Sequence, residues 1–126
     1  MVESKFQAKI IKAIEAKGGV VVNGTYSKSG IADLICGYPK EVVSKQGYYM
    51  NHTIKLLHLH IEVKTKDAYE TLMRNNITEV DGYYVCKDGF VGREVLQSAK
   101  LNDVRRRGGL ALFAYCIEQV EGYIDG

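Results

Sequence analysis

Apolar residues near the N-terminus recur every four positions and are separated by charged ones. Phe6, Ile10 and Ile14 follow this spacing, with lysines and glutamates between them. Side chains four positions apart lie on one face of a helix, so the pattern predicts an amphipathic helix over residues 3–17. Gly18–Gly19 marks its end, because glycine adopts the left-handed conformation that commonly follows a helix.

Three short stretches after this helix have the length and composition of β-strands. They cover residues 20–24, 31–38 and 54–65 and are rich in valine, isoleucine and leucine. Pro39, the only proline, is expected to end the second strand, because proline cannot donate a hydrogen bond to a neighbouring strand. Residues 40–53 are polar and rich in tyrosine, and they are predicted to form a loop or a hairpin excursion.

The third strand ends in the stretch HLHIEVKTK, residues 58–66, in which apolar and polar residues alternate. Alternate side chains of a strand point to opposite faces of the sheet. One face therefore carries aliphatic side chains, and the other carries His58, His60, Glu62 and Lys64. A strand that is otherwise apolar thus presents a carboxylate and an ammonium group side by side.

The second half of the chain adds a less regular segment, a helix and a last strand. Residues 66–94 contain AYETLMRNN, a candidate short helix, and GYYVCKDGFVG, which suggests two short strands around the turn signal KDG. Residues 93–107 have helical spacing and end at Gly108–Gly109, and residues 110–117 form an apolar run typical of a strand buried on both faces. These elements predict one α/β domain over residues 1–126, with a mixed central sheet flanked by helices.

Composition and charge fit a globular protein and exclude few partners. The 126 residues are 46% hydrophobic and 25% charged, and 17 lysines and arginines against 15 acidic residues leave a net charge of +2. This balance allows a nucleic acid as partner without requiring one. No run approaches the roughly 20 apolar residues that span a bilayer, and the charged N-terminus does not resemble a secretory signal. Three widely spaced cysteines predict reduced thiols, so a cytoplasmic location is expected.

Asp33 gives the Glu62 and Lys64 pair a chemical meaning. Two carboxylates on neighbouring strands can share a hard divalent cation, which binds carboxylates, water and substrate phosphate. The backbone carbonyl of Val63 is a further candidate ligand. Such an ion lowers the pKa of a bound water, and Lys64 can orient or deprotonate that water or stabilise the transition state. Together these groups can catalyse hydrolysis of a phosphodiester bond.

The order of these residues resembles that of the PD-(D/E)XK nuclease superfamily. GIAD at residues 30–33 and IEVK at residues 61–64 match its signature, with Ala32 at the position of the proline in the family's name. Within that superfamily the chain is similar to VRR-NUC domains and Holliday-junction resolvases. These begin with a helix that carries a glutamate, here Glu3, and place a glutamine, here Gln97, on a later helix that ends at glycine.

The resemblance implies a role for each matched residue. Asp33 and Glu62 would bind Mg²⁺ or Mn²⁺, and Lys64 would be the catalytic lysine. Gln97 would orient the lysine or the water, and Glu3 would hold a metal-bound water or the lysine.

The resemblance also implies a fold and a substrate class. The fold is a restriction-endonuclease-like core with the order αβββ-insert-αβ, in which residues 67–94 form the insert. The activity is metal-dependent hydrolysis of DNA, selective for a four-way junction or a flap, with duplex as a further substrate. The implied assembly is a homodimer, and residues 40–53 are the candidate interface.

Each candidate also has a plainer interpretation. Glu62 and Lys64 could form a solvated ion pair, and Asp33 could cap a turn. Glu3 could be a favourable charge in the first helical turn, and Gln97 a surface residue. The chain would then be a catalytically inactive nucleic-acid-binding module, or an unrelated metal-binding or metabolic α/β protein.

Six residues are candidate contacts with nucleic acid, because their side chains can bind phosphate oxygens. They are Lys28, Ser29, Lys66, Arg105, Arg106 and Arg107. The arginines could equally be a solvated helix end, where cations are favourable. The His58 and His60 pair has two open interpretations: a second, softer metal site or proton shuttle, or side chains that line the groove or bond to their neighbours.

Overall fold

A mixed four-stranded sheet forms the centre of the computed structural model, which describes residues 3–23 and 33–126. The helices and strands follow one another as α1 (Glu3–Ala16), β1 (Val20–Asn23), β2 (Leu34–Gln46), β3 (Tyr49–Val63), α2 (Lys66–Asn75), β4 (Ile77–Val80), β5 (Tyr83–Cys86), α3 (Arg93–Arg106), β6 (Leu110–Ala114) and α4 (Ile117–Asp125). The sheet has the order β1-β2-β3-β6. β2 is antiparallel to both β1 and β3, and β6 is parallel to β3. The prediction of one α/β domain with a mixed sheet is confirmed.

Helices α1 and α4 cover one face of the sheet. Leu59, Ile61 and Val63, which the alternation in residues 58–66 predicts to share one face, point into this layer and are fully buried. The buried residues of the layer include Ile10, Ile14, Leu34, Cys36, Leu59, Ile61, Val63, Leu112 and Val120. Burial of these side chains holds both helices to the sheet, since burying one aliphatic side chain contributes roughly 1.5–3 kcal/mol.

The opposite face is covered in part, by α2, α3 and the β4–β5 hairpin. The buried residues of this second layer are Leu72, Ile77, Tyr84, Leu101, Ala111 and Phe113. Asn102 of α3 fastens the hairpin, because its side-chain amide accepts a hydrogen bond from the Tyr84 N–H at 2.8 Å and donates one to the Tyr84 carbonyl at 2.9 Å. α3 is thereby held over β3 and β6.

β6 is buried on both faces, as its continuous apolar sequence predicts, although it is the last strand of its sheet. Its outer backbone groups are paired with side chains. The Phe113 N–H donates to the Tyr84 hydroxyl at 3.0 Å, and the Ala111 N–H donates to the Tyr123 hydroxyl at 3.2 Å. The Ala111 carbonyl accepts from Arg105 Nε at 2.7 Å. These bonds satisfy an edge that could otherwise pair with another chain.

The β2–β3 hairpin corrects the expectation that Pro39 ends the second strand. β2 continues to Gln46, and its pairing with β3 extends to Gln46 opposite Tyr49. Pairing with β1 stops at Gly37, so Pro39 lies where β2 has a neighbour on one side only, a position that tolerates proline. Of the two predictions for residues 40–53, the hairpin excursion is confirmed. We call residues 39–56 the arm.

The segment between β3 and α3 was only partly predicted. The short helix is confirmed as α2. Of the two strands predicted around KDG, the first is present as β5, but no strand follows KDG and the predicted turn is wrong. The hairpin turn lies earlier, at Asp81 and Gly82, which have φ values of 51° and 83°, as an Asp-Gly hairpin turn requires. The predicted strand over residues 110–117 ends at Ala114, and α4 was not predicted. The assignment of residues 67–94 as an insert stays a prediction.

None of the helices described over residues 3–23 and 33–126 combines the length and apolar character needed to cross a membrane.

Candidate active site

Asp33 lies beside Glu62 because of the antiparallel pairing of β2 and β3. Leu34, the first residue of β2, pairs with Ile61 of β3. Since the strands are antiparallel, Asp33, one residue before Leu34, lies opposite Glu62, one residue after Ile61. The Val63 N–H donates a hydrogen bond to Asp33 Oδ2 at 3.0 Å. This bond fixes the Asp33 side chain at the end of β3, close to the carboxylate of Glu62.

Glu62 is a buried carboxylate, with an exposed fraction of 5%. Burial raises the pKa of Glu62 from 4.5 to about 8, and the charge of Asp33, a hydrogen bond shared with Asp33 and the charge of Glu3 act in the same direction. The charge of Lys64 opposes them. In the metal-free protein Glu62 therefore keeps its proton at neutral pH, and a cation bound by the two carboxylates would favour the ionised form instead.

Lys64 is also buried, with an exposed fraction of 3%, and Gln97 links it to Glu62. The Lys64 Nζ donates to Gln97 Oε1 at 2.8 Å, and Gln97 Nε2 donates to Glu62 Oε2 at 3.1 Å. One side-chain amide thus orients both charged groups. Immediately after Lys64, the Thr65 hydroxyl accepts from the Ala68 N–H and caps α2, so the lysine is held between a strand end and a helix start.

Glu94 joins this group and was missed by the sequence analysis. Glu94 Oε1 lies 3.5 Å from Lys64 Nζ and 3.7 Å from Arg93 Nε. Burial alone would raise the pKa of Glu94, but a backbone hydrogen bond and the charges of Lys64 and Arg93 lower it overall. Its position three residues before Gln97 places both on one face of α3, and this spacing is the signal that could have identified it.

Glu3, in the first turn of α1, belongs to the same electrostatic group. Burial raises the pKa of Glu3, the charge of Asp33 raises it further, and the charges of Lys64 and Arg93 lower it. The structure therefore brings the N-terminus of α1 to the predicted site, together with the β2, β3 and α3 residues.

The candidate nucleic-acid contacts are more dispersed. Lys28 and Ser29 lie outside the described residues. Lys66 is exposed at the start of α2. Arg106 and Arg107 are exposed at the far end of α3, which is roughly 13 Å from Gln97 along the helix at 1.5 Å per residue.

Arg105 is engaged inside the protein. Its side chain is 9% exposed, and its guanidinium donates to the carbonyls of Ala111 and Gly82. It also lies over the rings of Tyr84 and Tyr123, at 4.4 and 4.8 Å. These contacts favour a structural role for Arg105 over the predicted contact with nucleic acid.

The carboxylates suit a cation site in which water and substrate supply the remaining ligands, and not one that protein side chains complete by themselves. Within residues 3–23 and 33–126, no three side chains of His, Cys, Asp or Glu are grouped so that they could hold a metal ion by themselves. Mg²⁺ is commonly held by only one or two carboxylates, with water and substrate phosphates as its other ligands. The carboxylates of Asp33 and Glu62 have the donor chemistry of such a site.

Comparisons with known proteins add no family to these observations. No protein-family model matches the chain, and searches of curated proteins and of solved structures found no match at the threshold applied.

Proposed function

We propose that this chain is an Mg²⁺- or Mn²⁺-dependent endonuclease of the PD-(D/E)XK type that hydrolyses DNA phosphodiester bonds inside the cell. The observation that carries the proposal is the convergence of Asp33, Glu62, Lys64 and Gln97 at the adjoining ends of β2, β3 and α3. These residues resemble the signature of that superfamily in their order along the chain. Their hydrogen bonds and their electrostatics support a common role.

The two carboxylates would hold the ion. A divalent ion bound there would lower the pKa of a water molecule and neutralise charge on the phosphoryl group. Gln97 donates to Glu62 Oε2, and the ion would replace the hydrogen bond that Glu62 shares with Asp33 in the metal-free protein. The Val63 carbonyl is a further candidate ligand.

Lys64 would orient the attacking water or stabilise negative charge on the phosphate. Its Nζ keeps donor capacity beyond the bond to Gln97, since an ammonium group has three donors. Because Lys64 is buried, its charge is weakly screened by solvent, and an interaction with a developing oxyanion is stronger than at the surface. Gln97 and Glu94 would position the lysine, and Glu3 would contribute from α1.

The expected assembly is a homodimer, and the uncovered part of the sheet supports it. Beyond the area covered by α3, the sheet face of β1 and the arm exposes Val20, Val22, Met50, Ile54 and Leu56. The register places all five on one face. At about 100 Å² per aliphatic side chain, the patch is on the order of several hundred Å², a size that marks interaction sites. A dimer would place two active sites on one DNA molecule.

The test is cleavage of labelled junction, flap, duplex and single-stranded DNA with Mg²⁺ and with Mn²⁺. The parent is expected to cleave, most efficiently on the junction or the flap. Lys64→Ala is expected to lose activity, whereas Lys55→Ala, an exposed lysine on the same strand β3, serves as the matched control and keeps it. Binding without cleavage in the parent would favour an inactive nucleic-acid-binding module. Neither binding nor cleavage would favour an unrelated α/β protein.

A further inference from the structure

We propose that His58 and His60 form a second metal site, which binds a late divalent transition metal such as Ni²⁺ or Zn²⁺ and is separate from the carboxylate site. This site does not depend on the proposed nuclease activity. The two side chains project from the same face of β3, because they are two residues apart on a strand. His60 is followed two residues later by Glu62.

The two imidazole rings converge on one point. The Nε2 atom of His58 lies 2.7 Å from the Nε2 atom of His60, and the ring centroids are 4.5 Å apart with an angle of 65° between the rings. The Nε2 atoms of the two rings therefore face each other. Without a metal, one neutral ring donates a hydrogen bond to the other.

The neighbouring backbone restricts the rotation of the two imidazole rings. Gly109, in the turn before β6, lies so close that a Cβ atom there would be 3.3 Å from His58 Cδ2. His60 lies between Ile35 of β2 and Ala111 of β6 in the strand pairing. Neither neighbour offers a charged group that would draw the imidazole away.

The separation of the two nitrogens suits a chelated ion. With bonds of about 2.0 Å, two adjacent ligand nitrogens lie about 2.8 Å apart on a tetragonal ion and about 3.3 Å apart on a tetrahedral one. The observed 2.7 Å reaches the first value with a small rotation of the rings. Imidazole favours zinc, copper and nickel over magnesium. Since the described residues add no third His, Cys, Asp or Glu to this pair, water would fill the other positions.

The experiment is titration of the tag-free protein with Ni²⁺ by isothermal calorimetry. In excess Mg²⁺, which keeps the Asp33 and Glu62 site filled, the parent is expected to bind one equivalent of Ni²⁺ per chain. His58→Ala and His60→Ala are each expected to weaken binding by at least about tenfold, as loss of one of two ligands requires. His52→Ala is the matched control, because His52 lies on the same strand but pairs with Glu41 on the arm at 2.6 Å, and it is expected to bind like the parent.

A second measurement locates the ion without relying on alanine variants. On addition of Zn²⁺, the ring ¹⁵N signals of His58 and His60 are expected to shift, and those of His52 are expected to stay. In the same excess of Mg²⁺, Glu62→Gln is expected to keep the equivalent of Ni²⁺ bound at the histidines. Loss of that equivalent in the variant would assign the ion to the carboxylates and overturn the proposal. Equal shifts in all three histidines, or unchanged binding in His60→Ala, would also overturn it.

Discussion

Replacing Glu62 by glutamine tests the electrostatic description of the site through protein stability. Glutamine has nearly the same shape as glutamate and can still accept the hydrogen bond from Gln97, but it cannot ionise. In the metal-free protein, burial and the neighbouring carboxylates raise the pKa of Glu62 from 4.5 to about 8. The folded chain therefore keeps a proton that the unfolded chain releases between these two pH values.

The sign of the effect follows from this difference in proton binding. Where the folded state binds more protons than the unfolded state, the free energy of unfolding falls as pH rises. For Glu62 the loss begins near pH 4.5 and is complete near pH 8. One pKa unit corresponds to about 1.4 kcal/mol, so the loss is a few kcal/mol and about 5 kcal/mol at most. The proton is shared with Asp33, and the titration belongs to the pair.

The assay is urea unfolding of the parent and of Glu62→Gln in EDTA, at a series of pH values from 5 to 8.5. The variant is expected to become the more stable of the two as pH rises, by a few kcal/mol at pH 8. Added Mg²⁺ is expected to stabilise the parent at pH 8 and to have little effect on the variant. Glu41→Gln, which changes an exposed carboxylate on the arm, is the control. A difference between parent and Glu62→Gln that is independent of pH would refute the reasoning.

Three further substitutions test the supporting contacts. Glu94→Gln removes the carboxylate 3.5 Å from the ammonium of buried Lys64. Because the lysine loses an opposite charge, the free energy of unfolding is expected to fall by about 1–3 kcal/mol. The rate of DNA cleavage is expected to fall as well, and an unchanged rate would exclude a positioning role. Tyr84→Phe leaves the buried N–H of Phe113 in β6 without its acceptor. The free energy of unfolding in urea is expected to fall by about 1–3 kcal/mol. Tyr123→Phe is expected to have a smaller effect because that hydroxyl is less buried, and equal effects would contradict this. Ile54→Lys on the uncovered sheet face is expected to convert a dimer to a monomer in light scattering, with an unchanged far-UV circular dichroism spectrum. Thr53→Lys on the other face of the arm is expected to keep the dimer. A parent that is already monomeric would contradict the proposed interface.

Local periodicity was enough to predict several elements. α1 and α3 were predicted nearly to their bounds, because the spacing of their apolar residues and the glycines that follow them are signals contained within the segment. The alternation in β3 correctly separated its buried aliphatic side chains from the polar face. Pro39 was misinterpreted, since whether a proline ends a strand depends on which side of that strand has a neighbour, and this is a tertiary property.

The polar pattern identified Glu62 and Lys64 as candidates, and Asp33 was added as a second carboxylate on a neighbouring predicted strand. The resemblance added Gln97 and Glu3. Glu94 was missed although it interacts directly with Lys64. A glutamate near the start of a helix is common on protein surfaces, so its residue type carries no signal until α3 is packed against β3.

The amino-acid sequence by itself determined the class of fold and which faces of its helices and strands are apolar, because these depend on residues a few positions apart. Tertiary structure decided which distant residues meet. The register of β2 against β3 brings Asp33 to Glu62. The packing of α3 lets the side-chain amide of Gln97 form hydrogen bonds with both Glu62 and Lys64. Arg105 forms a hydrogen bond with the outer edge of β6. Such contacts join residues about 30 positions apart or different layers of the molecule, and no local pattern specifies them.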